Sequence, residues 1–130
     1  MTHVAIQPSG LFKIPAPTSA ATVTSGTRLL HISGQVSMDE QGKVVGRGDI
    51  RDQTTQALRN FEVLVREAGG EMGDVCRITV YLLRREDLPT VMEVRREFFK
   101  EPYPATTVVV VSGLANPDWL VEFEGTAVLS

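Results

Sequence analysis

Cysteine is almost absent from this chain of 130 residues, which contains Cys76 alone. A single cysteine excludes an internal disulfide and any zinc site built from several cysteines. No histidine or basic group is placed in the sequence where it would activate the thiol, so a nucleophilic role is disfavoured. We expect Cys76 to be a small buried hydrophobic residue, on the same strand face as Ile78, Val80 and Leu82.

Long apolar runs and basic clusters are also missing. No stretch reaches the roughly 18 apolar residues that a membrane span needs, and the first ten residues lack the pattern of a signal peptide. We therefore expect a cytoplasmic protein with no membrane partner. With a net charge of −3 and no basic stripe, broad binding to a phosphate backbone is disfavoured, and no nucleic-acid partner is expected.

The composition that remains is that of one folded domain. Hydrophobic residues make up 42% of the chain and charged residues 22%, and there is no low-complexity run. A chain of this length buries one core, so we expect a single domain over residues 1–130.

Hydrophobic periodicity predicts strands interrupted by two helices. The first helix follows Asp49 as its N-cap and ends at Gly69-Gly70, and the second begins at Asp87 and runs to Phe98 and Phe99. The predicted strands are 3–7, about 20–24, 28–33, 75–83, 106–111 and 119–129. This order predicts an α+β fold with both helices packed on one face of the sheet.

The other face of the sheet has mixed polarity. In the strand from Val75 it carries Arg77, Thr79 and Tyr81, and we expect Val108 and Val110 to lie beside them. A face that is neither core nor fully polar is typical of a subunit interface, so sister subunits are expected to cover it.

Two carboxylates could carry chemistry. Glu122 and Glu124 lie two apart on one strand, so both point to one side, about 6.5 to 7 Å apart along the chain. This spacing suits acid–base catalysis, but pairing of one or both with Arg77 across the sheet is the commoner arrangement. Both interpretations stay open at this point.

Three other side chains have weaker signals. His3 and His31 have no ligand spacing with acidic residues, so no metal site is expected and His31 is interpreted as a packed or interface histidine. Arg95 falls on the apolar stripe of the second helix, between Met92 and Phe98. We expect it to extend to the helix edge, with an anion-binding arginine in a cleft as the alternative.

Short motifs occur along nearly the whole chain. They are Ser33-Gly34-Gln35-Val36 with Asp39 and Gly42, DQTTQALRNFEVLVREAG at 52–69, DVCRITVYL at 74–82, Phe98-Phe99, YPATT at 103–107 and VEFEGTA at 121–127. Together they resemble the reactive-intermediate deaminase family, also called Rid or YjgF-like. The resemblance implies a chorismate-mutase-like α+β fold assembled as a homotrimer, with sheets facing inward and a cleft between each pair of subunits.

The resemblance also implies a chemistry without a cofactor. Deaminating members hydrolyse enamines and imines formed by pyridoxal-phosphate enzymes, typically 2-aminoacrylate and its imine, to a ketoacid and ammonia. Gly34 matches a residue whose backbone lines the cleft, and Glu122 matches the carboxylate that holds the attacking water. The family's carboxylate-binding arginine is replaced by Thr106, and its cleft tyrosine by Ala20.

These replacements bear on the substrate. A threonine hydroxyl donates only a neutral hydrogen bond, so Thr106 and Thr107 suit a neutral or differently shaped ligand. We expect weak or no activity on 2-iminopropanoate unless Arg95 or a neighbouring subunit's arginine reaches the cleft. The leading hypothesis is an imine or enamine hydrolase binding a small metabolite. The alternative is a non-catalytic ligand-binding or regulatory trimer, and an endoribonuclease or translation inhibitor has little support.

Overall fold

The computed structural model describes residues 2–130, which contain six strands and two α-helices. The elements are β1 (His3–Ile6), β2 (Ala21–Thr24), β3 (Arg28–Gln35), α1 (Ile50–Glu67), β4 (Val75–Leu82), α2 (Leu88–Phe98), β5 (Ala105–Val110) and β6 (Val121–Leu129). Single 3₁₀ turns at Met72–Asp74 and Arg85–Asp87 precede β4 and α2 respectively.

The first helix begins and ends where the sequence predicts. The Asp49 carboxylate accepts a hydrogen bond from the backbone N–H of Asp52 at 3.0 Å, which satisfies one free donor of the first turn. After the helix, Gly69 adopts φ 90°, a conformation that glycine reaches without steric cost. No helix in residues 2–130 is long and apolar enough to cross a membrane.

Four strands form the main sheet in the order β3-β6-β4-β5. The central strand β6 runs antiparallel to both neighbours, whereas β4 and β5 are parallel. A parallel pair requires a crossover connection, and α2 supplies it. Strands β1 and β2 form a separate antiparallel pair, and the Thr22 hydroxyl joins that pair to β4 by a hydrogen bond to the Cys76 carbonyl at 2.9 Å.

Both helices pack on one face of the main sheet, which confirms the predicted α+β fold. Apolar side chains from α1, α2 and the inner positions of β4 and β6 form one continuous core. Its fully buried members include Leu58, Phe61, Val91, Val94, Ile78, Val80, Val121 and Phe123. The opposite side of the sheet, called the open face below, carries Thr79, Tyr81, Glu122 and Glu124.

The register of the parallel pair corrects one prediction about the open face. Val108 pairs with Val80 and packs against the core, so Val108 and Val110 lie on the helix face and not beside Tyr81. Val109, which pairs with Tyr81, takes the place on the open face that was expected for them. The error arose because alternation defines two faces of a strand but does not say which face meets the core when both are apolar.

Cys76 is buried, as expected, but it does not share the regular face of Ile78. It is the extra residue of a β-bulge, since Val75 pairs with Ala127 and Arg77 with the adjacent Thr126. Val75 is part of the core cluster and Cys76 is not. The Cys76 thiol instead donates to the Thr126 carbonyl at 3.3 Å.

Candidate functional site

Gly34 and Glu122 lie in direct contact on neighbouring strands. The ladder between β3 and β6 is irregular between Ile32 and Gln35, and Gly34 lies within this irregularity. The Glu122 side chain lies against the Cα of Gly34 so closely that a Cβ added there would be 1.8 Å from Oε2. Only glycine leaves room for the carboxylate in this position. The two motifs SGQ and VEFEG therefore contribute residues to the same contact.

The two carboxylates of β6 have different environments. Glu124 accepts a hydrogen bond from the Tyr81 hydroxyl at 3.1 Å and lies 3.7 Å from an Arg77 guanidinium nitrogen. Glu122, within the described residues, has neither a hydrogen bond nor an ion pair. Pairing with Arg77 is therefore the role of Glu124, and Glu122 is left free for acid–base work.

Burial and the nearby negative charge of Glu124 raise the pKa of the Glu122 carboxyl above its usual range. Both effects disfavour the charged form, because burial removes water and a like charge adds repulsion. A carboxylate with a raised pKa is a stronger base, and its pKa is closer to the neutral pH at which a general base works best.

A second group of candidate residues surrounds a cavity of about 270 Å³ between α2, β5 and the segment before β2. Thr106 and Ala20, the positions at which the resemblance implies an arginine and a tyrosine, both line it. Sequence reasoning missed Ser19 and Met92, which also line this cavity. The helical spacing of Met92 and Arg95, three residues apart on one stripe, was the signal that could have identified Met92.

Arg95 lies in the same cavity and is buried, so the prediction that it extends to the helix edge is wrong. Its side chain is 1% exposed. One guanidinium nitrogen, Nη2, donates to the Pro17 carbonyl at 3.0 Å, while Nε has no hydrogen-bond partner. Burial and then the charge of Arg96 lower the pKa of Arg95 to about 10, so the side chain is still positively charged at neutral pH.

One copy of the chain does not bring all the candidate residues together. Thr106 pairs with Ile78 and lies on the helix face, whereas Thr107 pairs with Thr79 and lies on the open face with Glu122. Strand β4 separates β5 from β6 in the sheet. The residues thus form two groups, the Gly34–Glu122 pair on the open face and the cavity with Thr106 and Arg95 at the sheet edge.

The remaining candidates have little chemical support. Burial raises the pKa of the Cys76 thiol, which disfavours a reactive thiolate. His3 is buried and its Nε2 lies 2.9 Å from the Pro102 carbonyl, while His31 is exposed, so it is not a packed histidine. Within residues 2–130 no three histidine, cysteine or acidic side chains are grouped closely enough to hold a metal ion.

Comparisons with known proteins agree with the fold. The family model described as Endoribonuclease L-PSP matches residues 14–129. A RutC family protein of Pyrococcus horikoshii is 40% identical over 75% of this chain and 77% of its own length. A 2-iminobutanoate/2-iminopropanoate deaminase of Dermatophagoides farinae is 32% identical over 98% of this chain and 93% of its own.

A solved structure extends the similarity to three dimensions. The crystal structure of YyfB from Yersinia pestis, a protein of the conserved Rid family, matches with a TM-score of 0.92 and 31% identity, covering 99% of this chain and all of that one. Sequence motifs, family model and fold therefore agree, and the chain belongs to the Endoribonuclease L-PSP family, which includes the Rid and YjgF proteins.

Proposed function

We propose that this protein hydrolyses a small imine or enamine in a cleft between two copies of the chain. The observation that carries the proposal is the Glu122 carboxylate, which lies unpaired and partly buried against Gly34. The deaminase name of the Dermatophagoides farinae relative supports the same class of reaction. The reaction consumes water and an imine and releases a carbonyl compound and ammonia, and it needs no cofactor.

Glu122 acts on water in this mechanism. Its carboxylate accepts a proton from a water molecule as the water oxygen attacks the imine carbon. Glu122 returns this proton to the nitrogen, which gives a carbinolamine. The hydroxyl proton of the carbinolamine then passes to the nitrogen through the same carboxylate as the C–N bond breaks, so that a carbonyl compound and ammonia leave. Because Gly34 has no side chain, nothing separates the carboxylate from the backbone that lines this part of the site.

The cavity with Thr106 binds the rest of the substrate. Thr106 and Ala20 are both smaller than the residues that they replace in the family, so the substrate is expected to differ in shape from 2-iminopropanoate. The Thr106 hydroxyl already donates to the Pro104 carbonyl at 2.9 Å, and it is left to act chiefly as an acceptor. Thr107 lies on the open face, so it contacts only the part of the substrate that extends towards Glu122.

A trimer provides the missing geometry. Glu122 and the Thr106 cavity lie on opposite faces of one sheet, so a cleft that contains both needs one group from each of two copies. A ring of three copies gives three such clefts, each with a full set of residues.

The experiment compares the hydrolysis of freshly generated 2-iminopropanoate and 2-iminobutanoate by wild type, Glu122→Gln and Thr106→Arg against the rate in buffer. Acceleration by wild type that is lost in Glu122→Gln supports the proposal. Acceleration only by Thr106→Arg indicates an intact cleft with another substrate. If neither protein accelerates any imine in a wider set, the proposal is refuted.

The second candidate is a non-catalytic small-molecule binder. The replacement of two cleft residues by Ala20 and Thr106 favours it, because both losses remove contacts with a carboxylate substrate. A compound from the same set that raises the melting temperature but is never consumed would identify this function.

A further inference from the structure

We propose that Arg95 is the anion-binding residue of this cleft, and that its ligand is a small carboxylate bound from helix α2 and not from strand β5. The inference deepens the proposed function, on which it rests for the identity of the reaction. It also specifies a charged ligand, whereas the presence of Thr106 in place of the family arginine would, on its own, favour a neutral ligand.

The first argument is the unmatched charge of Arg95. The side chain is 1% exposed, and within the described residues no carboxylate lies within ion-pair distance of it. Its hydrogen bond goes to the neutral Pro17 carbonyl. The charged group that shifts its pKa is Arg96, which is also positive. A buried guanidinium without a counterion is costly, so it persists in a fold where an anion completes the site.

The second argument is the position of the guanidinium. Arg95 and Thr106 line one cavity, so the cation is in the same space that the family arginine would occupy from Thr106. The lining also includes the apolar side chains of Leu88 and Met92 and the hydroxyls of Thr18 and Ser19, which already donate to backbone carbonyls. This lining matches a ligand with one anionic end and a short apolar portion.

The third argument is size and rigidity. At about 270 Å³ the cavity is near the lower limit of about 300 Å³ for small-molecule sites, which favours a compact metabolite. Arg95 follows the packed residue Val94 on a helix whose inner face is part of the core, so its backbone is fixed. A planar guanidinium on a rigid helix can bind a carboxylate through two parallel hydrogen bonds, and Nε, which has no partner, is one of the free donors.

The test measures binding of pyruvate and of its neutral amide, pyruvamide, by calorimetry and by thermal shift, so that no turnover is needed. Wild type should bind pyruvate and bind pyruvamide at least tenfold more weakly. Arg95→Met should weaken pyruvate binding by about 10- to 100-fold, because charge-assisted hydrogen bonds are lost. Arg96→Met, one residue along on the exposed side of the helix, is the matched control and should change binding less than twofold.

Two further variants protect the test against a failure to fold. Arg95→Lys keeps the charge but loses the planar fork, and it should bind pyruvate with intermediate affinity. Arg95→Met combined with Thr106→Arg should restore much of the binding by placing the cation on β5. Equal binding of pyruvate and pyruvamide by wild type, or full binding by Arg95→Met, would overturn the inference.

The outcomes also separate this inference from the proposed function. Glu122→Gln should bind pyruvate at least as well as wild type does, since Glu122 acts on water and its replacement removes a negative charge from the cleft. If Arg95-dependent binding is found but no imine is hydrolysed, the inference stands and the hydrolase proposal falls. If imines are hydrolysed but Arg95→Met is fully active and binds pyruvate normally, the hydrolase proposal stands and the inference falls. Failure of wild type to bind pyruvate at all would refute the inference.

Discussion

Replacing Gly34 by alanine tests the link between the Gly34–Glu122 contact and catalysis. The added Cβ would lie 1.8 Å from Oε2 of Glu122, and ordinary contact begins at 3.4 Å, so the carboxylate must move by at least about 1.6 Å. A misplacement of about 1 Å in a catalytic group can cost about 100-fold in rate. We therefore expect Gly34→Ala to lower kcat/KM by about 100-fold or more on the imine that wild type hydrolyses best.

The same substitution should leave the fold intact. The nearest obstacle is the end of a flexible side chain and not backbone. Moving Glu122 to another rotamer costs about 0.5 to 1.5 kcal/mol if it is strained, while alanine restricts the unfolded chain and returns about 0.4 to 1 kcal/mol. The free energy of unfolding, measured by urea denaturation, should change by less than about 1 kcal/mol.

Two other glycines serve as controls. Gly113→Ala meets nothing within 4 Å and should retain full activity and stability. At Gly125 a Cβ would lie 2.6 Å from the backbone oxygen of Arg77, which cannot rotate away, so Gly125→Ala should be strongly destabilising. A Gly34→Ala protein that keeps more than half of the wild-type rate would refute the assignment of Glu122 to catalysis in this position. Parallel loss of rate and stability would instead show that the contact is structural.

Further expectations concern the two carboxylates, the assembly and RNA. Glu122→Gln should lower the hydrolysis rate by about 10²- to 10⁴-fold without unfolding the protein; a fully active variant would refute the mechanism. Because the pKa of Glu122 is raised in the folded state, ionisation of this carboxyl opposes folding. The free energy of unfolding should therefore fall as pH rises from the unfolded-state pKa to the folded-state pKa, and Glu122→Gln should abolish this fall in urea titrations. Activity needs the ionised form, and Glu124→Gln should move the acid limb of the pH–rate profile to lower pH by removing one cause of the shift. Light scattering should give three times the 14.2 kDa of the chain, and a monomer would contradict the shared cleft. Mixed trimers of inactive Glu122→Gln and Arg95→Met should recover up to about one quarter of the activity, because about one cleft in four then has both residues. RNA binding should be weak, and tight binding that falls steeply with salt would contradict this expectation.

Local sequence signals were sufficient for the secondary structure. The β-branched run at 106–111 predicts a strand that the structure places at Ala105–Val110, and the capping carboxylate of Asp49 and the glycine at position 69 locate both ends of α1. The last strand begins at Val121 and not at Trp119. These features depend on a few adjacent residues, which is why a single sequence contains them.

Features that depend on contacts between residues far apart in the chain could not be predicted from the sequence in the same way. The face occupied by Val108 depends on its register with Val80, and the bulge at Cys76 depends on pairing with β6. The burial of Arg95 was missed because a long basic side chain on an apolar stripe more often reaches water, and only the cavity under α2 shows that this one does not. Glu122 was predicted as a candidate, but its different environment from that of Glu124 became apparent only from the contacts of Glu124 with Tyr81 and Arg77.

The placement of the two residue groups also constrains how copies of the chain can assemble. An isologous dimer uses the same patch of both copies, so it completes the site only if that patch contains both Glu122 and the Thr106 cavity, and these lie on opposite faces of the sheet. A heterologous contact joins the open face of one copy to the β5 edge of the next. It would cover the exposed Val109 and Val110 and the edge of β5 beyond the bridge between Ala105 and Ser19. It would also bring a Glu122 carboxylate towards an Arg95 cavity. Repeated heterologous contacts either close into a ring or continue as a filament, and a trimer is a small ring that leaves no cleft incomplete. We therefore infer that the same contact that protects the sheet edge also assembles the catalytic site.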